Sequence, residues 1–358
     1  IPPDVVRSLD SRLRRYVNGR DLLYAPRGIY ALDFYGLELE AVRARYPWAY
    51  QRLFNSVRLG RAKDKRKSYR ENWWTFAEAR PALRKALSGL NRYIGTTETA
   101  THRVFSFIDA TFLPDQKIRV VASDSLALLA VLTSRVHVAW ALVAGSRLGV
   151  GNDPVYNNAR CFEQFPFPDM ALISEGGAPD FARRIVSHRA SQQAQHGGLT
   201  VTGIYNVLEK LRRNEVLGSK DKLIHEQGLV SGLRELHDEL DRAVFAAYGW
   251  NDLADKLVGR PGATTPWPEK PPEQAEALRV NLFPGFPVES LLVDDRRVIG
   301  VRTAPSGLDR EGEPTDVYAE PTELTAKVVI LAEGTRGPLG QAYRSWQGIT
   351  SENPQIFA

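Results

Sequence analysis

A stretch rich in proline and glycine divides this chain of 358 residues into two unlike parts. Residues 259–272 read GRPGATTPWPEKPP and contain five prolines. Because proline fixes φ and lacks a backbone donor, neither a helix nor a central strand can continue through such a stretch. The sequence therefore predicts a linker over residues 259–280, with separate folding units before and after it.

The pattern of apolar residues before the linker differs between residues 1–168 and residues 169–258. Residues 1–168 contain segments with the helical period and segments with the alternation of a strand, which predicts an α/β domain. Strands are expected at 29–34, 92–96, 103–108 and 117–122, and helices at 38–54 and 125–142. Residues 169–258 are predicted to be a helical subdomain, with helices at 179–195, 199–213 and 222–248. The last of these has an apolar stripe that is expected to be buried, formed by Leu229, Leu233, Leu236, Leu240 and Val244.

Residues 281–358 have the pattern of a β-rich region. Strands are expected at 287–293, 297–303, 316–319 and 326–332. No stretch of the chain approaches 18 apolar residues in a row, so that no membrane span is predicted. The one cysteine, Cys161, excludes a disulfide framework and a cysteine-rich metal site, and it favours a reducing, cytoplasmic location.

Positive charge is concentrated in the first third of the chain. Residues 1–103 carry 21 Lys/Arg and 10 Asp/Glu, a balance of +11, whereas the whole chain carries +5. The densest run lies between Arg58 and Arg70, where seven cations accompany one acid, and Trp73 and Trp74 follow it. Cations beside planar rings suit contacts with the sugar–phosphate backbone and bases of DNA. The alternative is a solvated helical face.

A loop rich in threonine lies between two of the predicted strands. It reads TTETATHR from Thr96 to Arg103. Threonine and arginine can read base edges in the major groove, and arginine can bind guanine with two hydrogen bonds. A polar β-turn is the alternative interpretation of these residues.

Motifs for catalysis are missing from the sequence. It has no G-x-G-x-x-G after a strand, no Walker A sequence and no [DNS]-P-P-[YFW] tetrapeptide. The six histidines show no metal-ligand spacing, and His137 on an apolar helix is expected to be a core residue.

Several segments together resemble MmeI-like DNA methyltransferases. They include RRYVNGRDL, RKSYRENWWTFAEARP, NRYIGTTETATHRVFSFID, LTSRVHVAWAL and GSRLGVGNDPVYNNARCFEQFPFP, and the resemblance runs over about residues 10–258. It implies the target-recognition half of an adenine-N6 methyltransferase of restriction–modification or phage defence, with double-stranded DNA as partner. The family's S-adenosylmethionine-binding and catalytic motifs precede this region. The chain is therefore expected neither to bind S-adenosylmethionine nor to methylate DNA without a separate methyltransferase domain.

The resemblance also implies which residues face DNA. Lys65, Lys67 and Arg70 are expected at phosphates, and Thr97, Thr99 and Arg103 at bases. On this interpretation Arg103→Ala costs about 1–3 kcal/mol of binding and relaxes the preference at one base. The full predicted set of DNA-binding residues is Arg61, Lys63, Lys65, Arg66, Lys67, Tyr69, Arg70, Trp73, Trp74, Thr97, Thr99, His102 and Arg103.

The residues after position 281 resemble a different family. The segment LTAKVVILAEGTRGPLG at 324–340 is similar to an internal piece of electron transfer flavoprotein–ubiquinone oxidoreductase. The resemblance implies a partial flavoprotein fold, an apparent chimera with a junction near residues 279–284, and an FAD-site remnant at Glu333, Gly334 and Gly337. Since the N-terminal glycine motif of that family is absent, FAD is not expected to bind. A natural fusion, a mis-joined reading frame and an artificial chimera are all compatible with the junction.

The sequence thus leaves three functions open. The first is sequence-specific recognition of duplex DNA, as the specificity part of an adenine methyltransferase. The second is FAD-dependent electron transfer by the C-terminal segment. The third is a folded fragment with neither activity.

Overall fold

A computed structural model gives the fold of residues 3–9, 12–24, 26–148, 153–262, 288–294, 297–308, 313–326 and 356–357. The N-terminal part mixes short helices with short strands, which confirms its predicted α/β character. Its helices are α1 (Pro3–Leu9), α2 (Gly19–Leu23), α3 (Leu39–Arg45), α4 (Pro47–Leu53), α5 (Leu59–Arg61), α6 (Lys67–Glu71), α7 (Pro81–Leu87), α8 (Leu126–Thr133) and α9 (Arg135–Ala144). A π-helical turn, Phe54–Arg58, joins α4 to α5.

The strands of this part form three small sheets. They are β1 (Leu13–Val17), β2 (Tyr30–Leu32), β3 (Arg92–Thr97), β4 (Ser106–Asp109), β5 (Leu113–Pro114), β6 (Ile118–Val121), β7 (Ser146–Leu148) and β8 (Asp153–Val155). The central sheet pairs β3 with β4 and β6, both antiparallel. A second sheet has the order β2-β1-β5, and β7 and β8 form a hairpin. The predicted strands at 92–96 and 117–122 correspond to β3 and β6.

The predicted helical part is helical throughout. After a π-helical turn at Asn158–Phe162 come α10 (Met170–Glu175), α11 (Ala178–Gln195), α12 (Val201–Arg212), α13 (Ser219–Gly228), α14 (Val230–Ala247) and α15 (Asn251–Leu257). The prediction of a single helix at 222–248 is wrong, because Leu229 adopts a left-handed conformation with φ 43° and separates α13 from α14. Its side chain is consequently 55% exposed and lies outside the buried stripe.

The apolar helix predicted at 125–142 is also two helices. Ser134 ends α8 and caps α9, with its Oγ donating to the carbonyl of Val131 at 2.7 Å. A serine hydroxyl competes with helical backbone bonding and favours an N-cap. Within the described part of the chain no single helix is long and apolar enough to cross a membrane, although α8 and α9 together pass that test as a pair bent by 60°.

One hydrophobic core joins the α/β part to the helical part. Ile94 of β3 and Phe105 before β4 share it with Ile185 of α11 and Leu233 of α14. The Arg189 guanidinium of α11 crosses the same junction and donates to the carbonyl of Phe105 at 2.7 Å. The boundary predicted at residue 168 therefore does not separate two hydrophobic cores.

The β-rich region has two described groups of strands. Its strands are β9 (Val288–Asp294), β10 (Arg297–Thr303), β11 (Ser306–Leu308), β12 (Pro314–Ala319), β13 (Glu323–Thr325) and β14 (Ile356–Phe357). The first sheet has the order β13-β10-β9, and β11 pairs with β12. β14 lies beside β6 at the edge of the central sheet. The predicted strand at 326–332 lies outside the described residues beyond Ala326, as do the predicted junction and residues 263–280 of the predicted linker.

His137 is a core residue, as predicted. It is fully buried, and its Nε2 lies 2.9 Å from the hydroxyl of Tyr156. Burial, together with the charge of Arg103, lowers the pKa of His137 to about 3, and burial also lowers the pKa of His237 well below its usual value. Both imidazoles are therefore neutral in the folded protein at neutral pH.

We expect this chain to lose stability on mild acidification. Because the unfolded histidines bind protons below about pH 6.5 while the folded ones do not, stability is present above that pH and falls as the pH drops toward 3. Each histidine contributes a slope of about 1.4 kcal/mol per pH unit. Urea unfolding at several pH values measures this slope. His137→Gln should lower this slope by up to about 1.4 kcal/mol per pH unit, with His196→Gln, at a partly exposed histidine, as control; an unchanged slope in His137→Gln would contradict the assignment.

Candidate nucleic-acid interface

The basic segment, residues 58–70, lies on the surface and runs from the end of the π-helical turn through α5 to α6. Lys63, Lys65 and Lys67 are exposed. Lys67 has one weak partner, Glu71, at 3.7 Å, whereas Lys63 and Lys65 make no ion pair with any described residue. Three ammonium groups are thus accessible at the surface to an anionic partner.

The arginines of the basic segment organise its backbone. Arg61 donates to the carbonyl of Thr75 at 2.6 Å, and Arg70 donates to the carbonyls of Asp64 and Lys65 at 2.8 and 3.0 Å. Arg66 forms an ion pair with Asp64 at 3.1 Å. These contacts fix the course of the turn that carries Lys63 and Lys65, so that the lysines are presented by a structured loop.

The aromatic residues beside the basic segment are mostly anchors. Trp73 is 7% exposed and packs against Tyr50 and Phe54, with ring centroids 5.8 and 5.9 Å away. Trp74 is half-buried, and its Nε1 donates to the carbonyl of Leu37 at 2.8 Å. In this structure Trp73 attaches the basic segment to α4 and the π-helical turn, and Trp74 attaches it to Leu37 before α3. Trp73 does not present a ring face for stacking on a base, contrary to its prediction as a DNA contact.

Tyr69 also has a structural partner on each side. The guanidinium of Arg66 lies 3.4 Å from its ring centroid, and its hydroxyl donates to Glu78 at 3.0 Å. The ring therefore supports Arg66 at the surface.

Arg103 is buried inside the threonine-rich loop, with 4% of its surface exposed. It donates to Thr96 Oγ1 at 3.2 Å, to the carbonyl of Pro154 at 3.1 Å, and to the carbonyl of Thr97. Burial lowers the pKa of Arg103 to about 10. Since its donors satisfy backbone carbonyls, Arg103 holds the loop together in this structure and does not reach solvent as a base contact would require.

Thr97 and His102 are buried with Arg103. Thr97 is 4% exposed and His102 is 3% exposed. His102 Nε2 donates to Asn206 Oδ1 of α12 at 2.6 Å, which connects the loop to the helical part. Burial lowers the pKa of His102 below its usual value. Neither side chain is presented to solvent, so that both are structural in this conformation.

The exposed edge of this loop consists of other residues. Thr99 is partly exposed and forms an isolated antiparallel β-bridge with Val155. The hydroxyl of Thr101 donates to Asp153 Oδ1 at 3.2 Å. The loop thus lies beside the β7–β8 hairpin. Glu98 pairs with Lys117 at 2.8 Å and with Arg119 at 3.3 Å. Of the predicted base contacts, Thr99 is the one that the structure leaves at the surface.

Sequence reasoning missed a cleft of about 620 Å³ between α7 and the β2-β1-β5 sheet. The buried carboxylate of Asp33 lies beside it and accepts two hydrogen bonds from Arg84, at 2.7 and 3.1 Å, with Arg14 at 3.5 Å. Although burial disfavours the carboxylate, the Arg84 hydrogen bonds keep the pKa of Asp33 below its usual value. Arg14, Asp33 and Arg84 come from three distant segments, and no local motif signals their meeting.

The predicted flavin-site remnant at Glu333, Gly334 and Gly337 lies outside the described residues.

The N-terminal part of the chain is similar to known proteins. Residues 13–169 match the family model of the MmeI target recognition domain. A solved structure, that of the type IIL restriction–modification enzyme MmeI in complex with DNA, aligns with 70% of this chain and 31% of the MmeI chain, at 17% identity and a TM-score of 0.48.

Shorter matches link this chain to a second family. Electron transfer flavoprotein–ubiquinone oxidoreductase of Pseudomonas aeruginosa is 40% identical over 82 residues, which are 22% of this chain and 15% of the relative. A probable enzyme of the same name from Acinetobacter baylyi is 43% identical over 70 residues, which are 19% and 12% of the two chains. The human mitochondrial enzyme is 39% identical over 87 residues, or 24% and 14%. The chain spans about a seventh of the length of these relatives. Both resemblances found in the sequence are thereby confirmed for parts of the chain.

Proposed function

We propose that residues 13–169, which match the MmeI target recognition domain, recognise a defined sequence in duplex DNA. The family match is the observation that carries the proposal. The exposed lysines of the basic segment support it, because cations held on a structured surface bind phosphates and release counterions. We further propose that this recognition serves a site-specific adenine-N6 methyltransferase of restriction–modification or phage defence.

In this proposal two surfaces have different roles in DNA recognition. Lys63, Lys65 and Lys67 contact phosphates and position the duplex, since phosphate contacts carry no sequence information. The edge formed by Thr99, Thr101 and the β7–β8 hairpin reads bases, because hydroxyl groups can donate to or accept from base edges. That edge is supported by the buried side chains of Arg103, Thr97 and His102.

Methyl transfer is not assigned to the residues of this chain. Its sequence contains no glycine-rich nucleotide motif after a strand and no [DNS]-P-P-[YFW] tetrapeptide. In an enzyme that acts on a base within a duplex, one domain extrudes the base and performs the chemistry. We propose that S-adenosylmethionine binds to such a methyltransferase domain, while this chain supplies the choice of site.

Selection from a pool of random duplexes tests the sequence preference. We expect the purified chain to enrich one short motif, because base-edge contacts discriminate by about 1–3 kcal/mol for each base pair. Thr99→Ala together with Thr101→Ala should relax the motif at one or two positions while retaining overall binding. Recovery of DNA without any common motif would contradict sequence-specific recognition and leave only non-specific binding.

A second candidate function follows from the matches to electron transfer flavoprotein–ubiquinone oxidoreductase. The observation in its favour is about 40% identity over roughly a fifth of the chain. Visible absorbance of a flavin in the purified protein would support FAD-dependent electron transfer. We expect no such absorbance, because the glycine motif that binds a dinucleotide is absent from the sequence.

A further inference from the structure

A second cleft, of about 640 Å³, opens between β2, α4 and the residues that follow α6. We name it the aromatic cleft and define it by Tyr30, Trp48, Arg52, Arg61 and Phe76. Its volume is in the range of pockets that hold small planar ligands. Because its walls come from three segments of the domain matched to MmeI, it belongs to the same unit as the basic segment.

Of the five rings that line the aromatic cleft, Trp73 and Trp74 are engaged as anchors, and the other three are exposed. Tyr30 is 56% exposed, Trp48 36% and Phe76 37%. None of the three stacks on another ring within the described ranges, and neither the hydroxyl of Tyr30 nor Nε1 of Trp48 has a hydrogen-bond partner there. Large rings with free faces and free polar groups are costly to leave in water and are enriched where a partner binds.

The charge of the aromatic cleft is positive. Arg52 is exposed and pairs with no acid among the described residues, and Arg61 also lines the cleft. No aspartate or glutamate is among the described residues that line it. An arginine beside an aromatic ring suits a ligand that combines a planar base with a phosphate.

The aromatic cleft also adjoins the basic segment. Arg61 lines the cleft and belongs to the basic segment, two residues before Lys63. A nucleic-acid strand whose phosphates lie along Lys63 and Lys65 would therefore pass the mouth of the cleft. Charge continuity of this kind favours a nucleic acid over a protein as occupant.

We propose that the aromatic cleft holds one unstacked base of the bound DNA. The base lies against the ring of Trp48 or Tyr30, and the adjoining phosphate lies near Arg52. Stacking on an aromatic side chain tolerates any base, so that this site adds affinity without adding sequence preference. The inference rests on the proposed function, because it presumes that the basic segment binds DNA.

Two labelled duplexes that differ by one unpaired adenine test the inference by fluorescence anisotropy with the whole chain. A base that is already unpaired enters a pocket without the cost of leaving the stack, so the duplex with the extra adenine should bind about tenfold more tightly. Trp48→Ala should bring this ratio close to one, and Trp48→Phe should keep most of it. Tyr24→Ala, which removes a similarly exposed ring outside the cleft, should leave the ratio unchanged.

The outcomes separate this inference from the proposed function. Equal binding of both duplexes, with no effect of Trp48→Ala on the ratio, overturns the cleft inference and leaves duplex recognition standing. If only the duplex with the unpaired adenine binds, and its binding depends on Trp48, the result supports the cleft inference and contradicts duplex recognition. Absence of binding to either duplex contradicts both. If Trp48→Ala instead changes the sedimentation of the chain without changing the ratio, the cleft docks a second copy and the inference is overturned.

Discussion

Arg103→Ala is expected to lower the free energy of unfolding by about 3–5 kcal/mol, because it removes a buried charge-assisted network and takes a donor away from each of its enclosed acceptors. The guanidinium donates to the carbonyls of Thr97 and Pro154 and to Thr96 Oγ1. Each of these acceptors is enclosed, and water cannot replace the lost donor without opening the loop. Urea unfolding followed by circular dichroism measures the loss.

The same variant separates a structural arginine from one that reads a base. Under conditions where Arg103→Ala stays folded, we expect its preferred DNA motif to be that of the parent chain. Arg242→Ala provides the control, since this exposed arginine has a weak partner, Asp255, at 3.8 Å and should cost less than about 1 kcal/mol. Full stability together with relaxed preference at one base would show that Arg103 reaches DNA.

Substitution of Lys63, Lys65 and Lys67 by glutamine is expected to weaken binding to duplex DNA by about a hundredfold or more near 0.1 M salt. Each exposed lysine that neutralises a phosphate releases counterions, so the loss should be large at low salt and should nearly vanish toward 1 M. Fluorescence anisotropy with one labelled duplex measures it. The fold should be unaffected, because the one ion pair that these lysines make with a described residue, Lys67 with Glu71, is long and exposed.

A matched triple variant tests whether any three charges would have the same effect. Lys220, Lys222 and Lys256 are exposed on the helical part and do not belong to the basic segment. Their replacement by glutamine removes the same charge from the chain and should weaken binding by less than about fivefold through the long-range field alone. Equal losses in the two triple variants would mean that net charge, not the basic segment, governs binding.

Much of the fold could be predicted from hydrophobic period. β3 and β6 alternate clearly, and α11 carries a helical repeat, so both types of element lie close to their predicted positions. The breaks at Ser134 and Leu229 could not be predicted in this way, because the apolar repeat continues across each of them. Ser134 caps a helix through a single hydroxyl, and the left-handed conformation of Leu229 is set by the packing of α13 and α14.

The charged surface of the candidate site could be predicted from the sequence, whereas the burial of Arg103 and Thr97 could not. The lysines of the basic segment are at the surface as predicted, since lysine is rarely buried. Arg103 and Thr97 were predicted at bases because their donors suit base edges, yet the same donors and hydroxyls satisfy backbone carbonyls. Sequence alone cannot decide between these two partners, because the choice depends on whether the loop closes over its own side chains.

The aromatic cleft could not be predicted from the sequence. Tyr30, Trp48 and Phe76 lie far apart in sequence and form no motif, and each alone would be taken for an ordinary packing residue. Their common exposure and their position around Arg52 appear only once β2 and α4 are placed side by side.

We propose that the basic segment of this chain binds duplex DNA through the phosphates of the DNA. Anisotropy titrations over a series of salt concentrations test this proposal, with the whole chain compared with its Lys63, Lys65 and Lys67 glutamine variant. We predict that the logarithm of the affinity falls linearly with the logarithm of the salt concentration, and that the variant's slope is shallower by about 0.9 for each lysine that contacts a phosphate. No binding at low salt, or the same slope for both proteins, would contradict the claim.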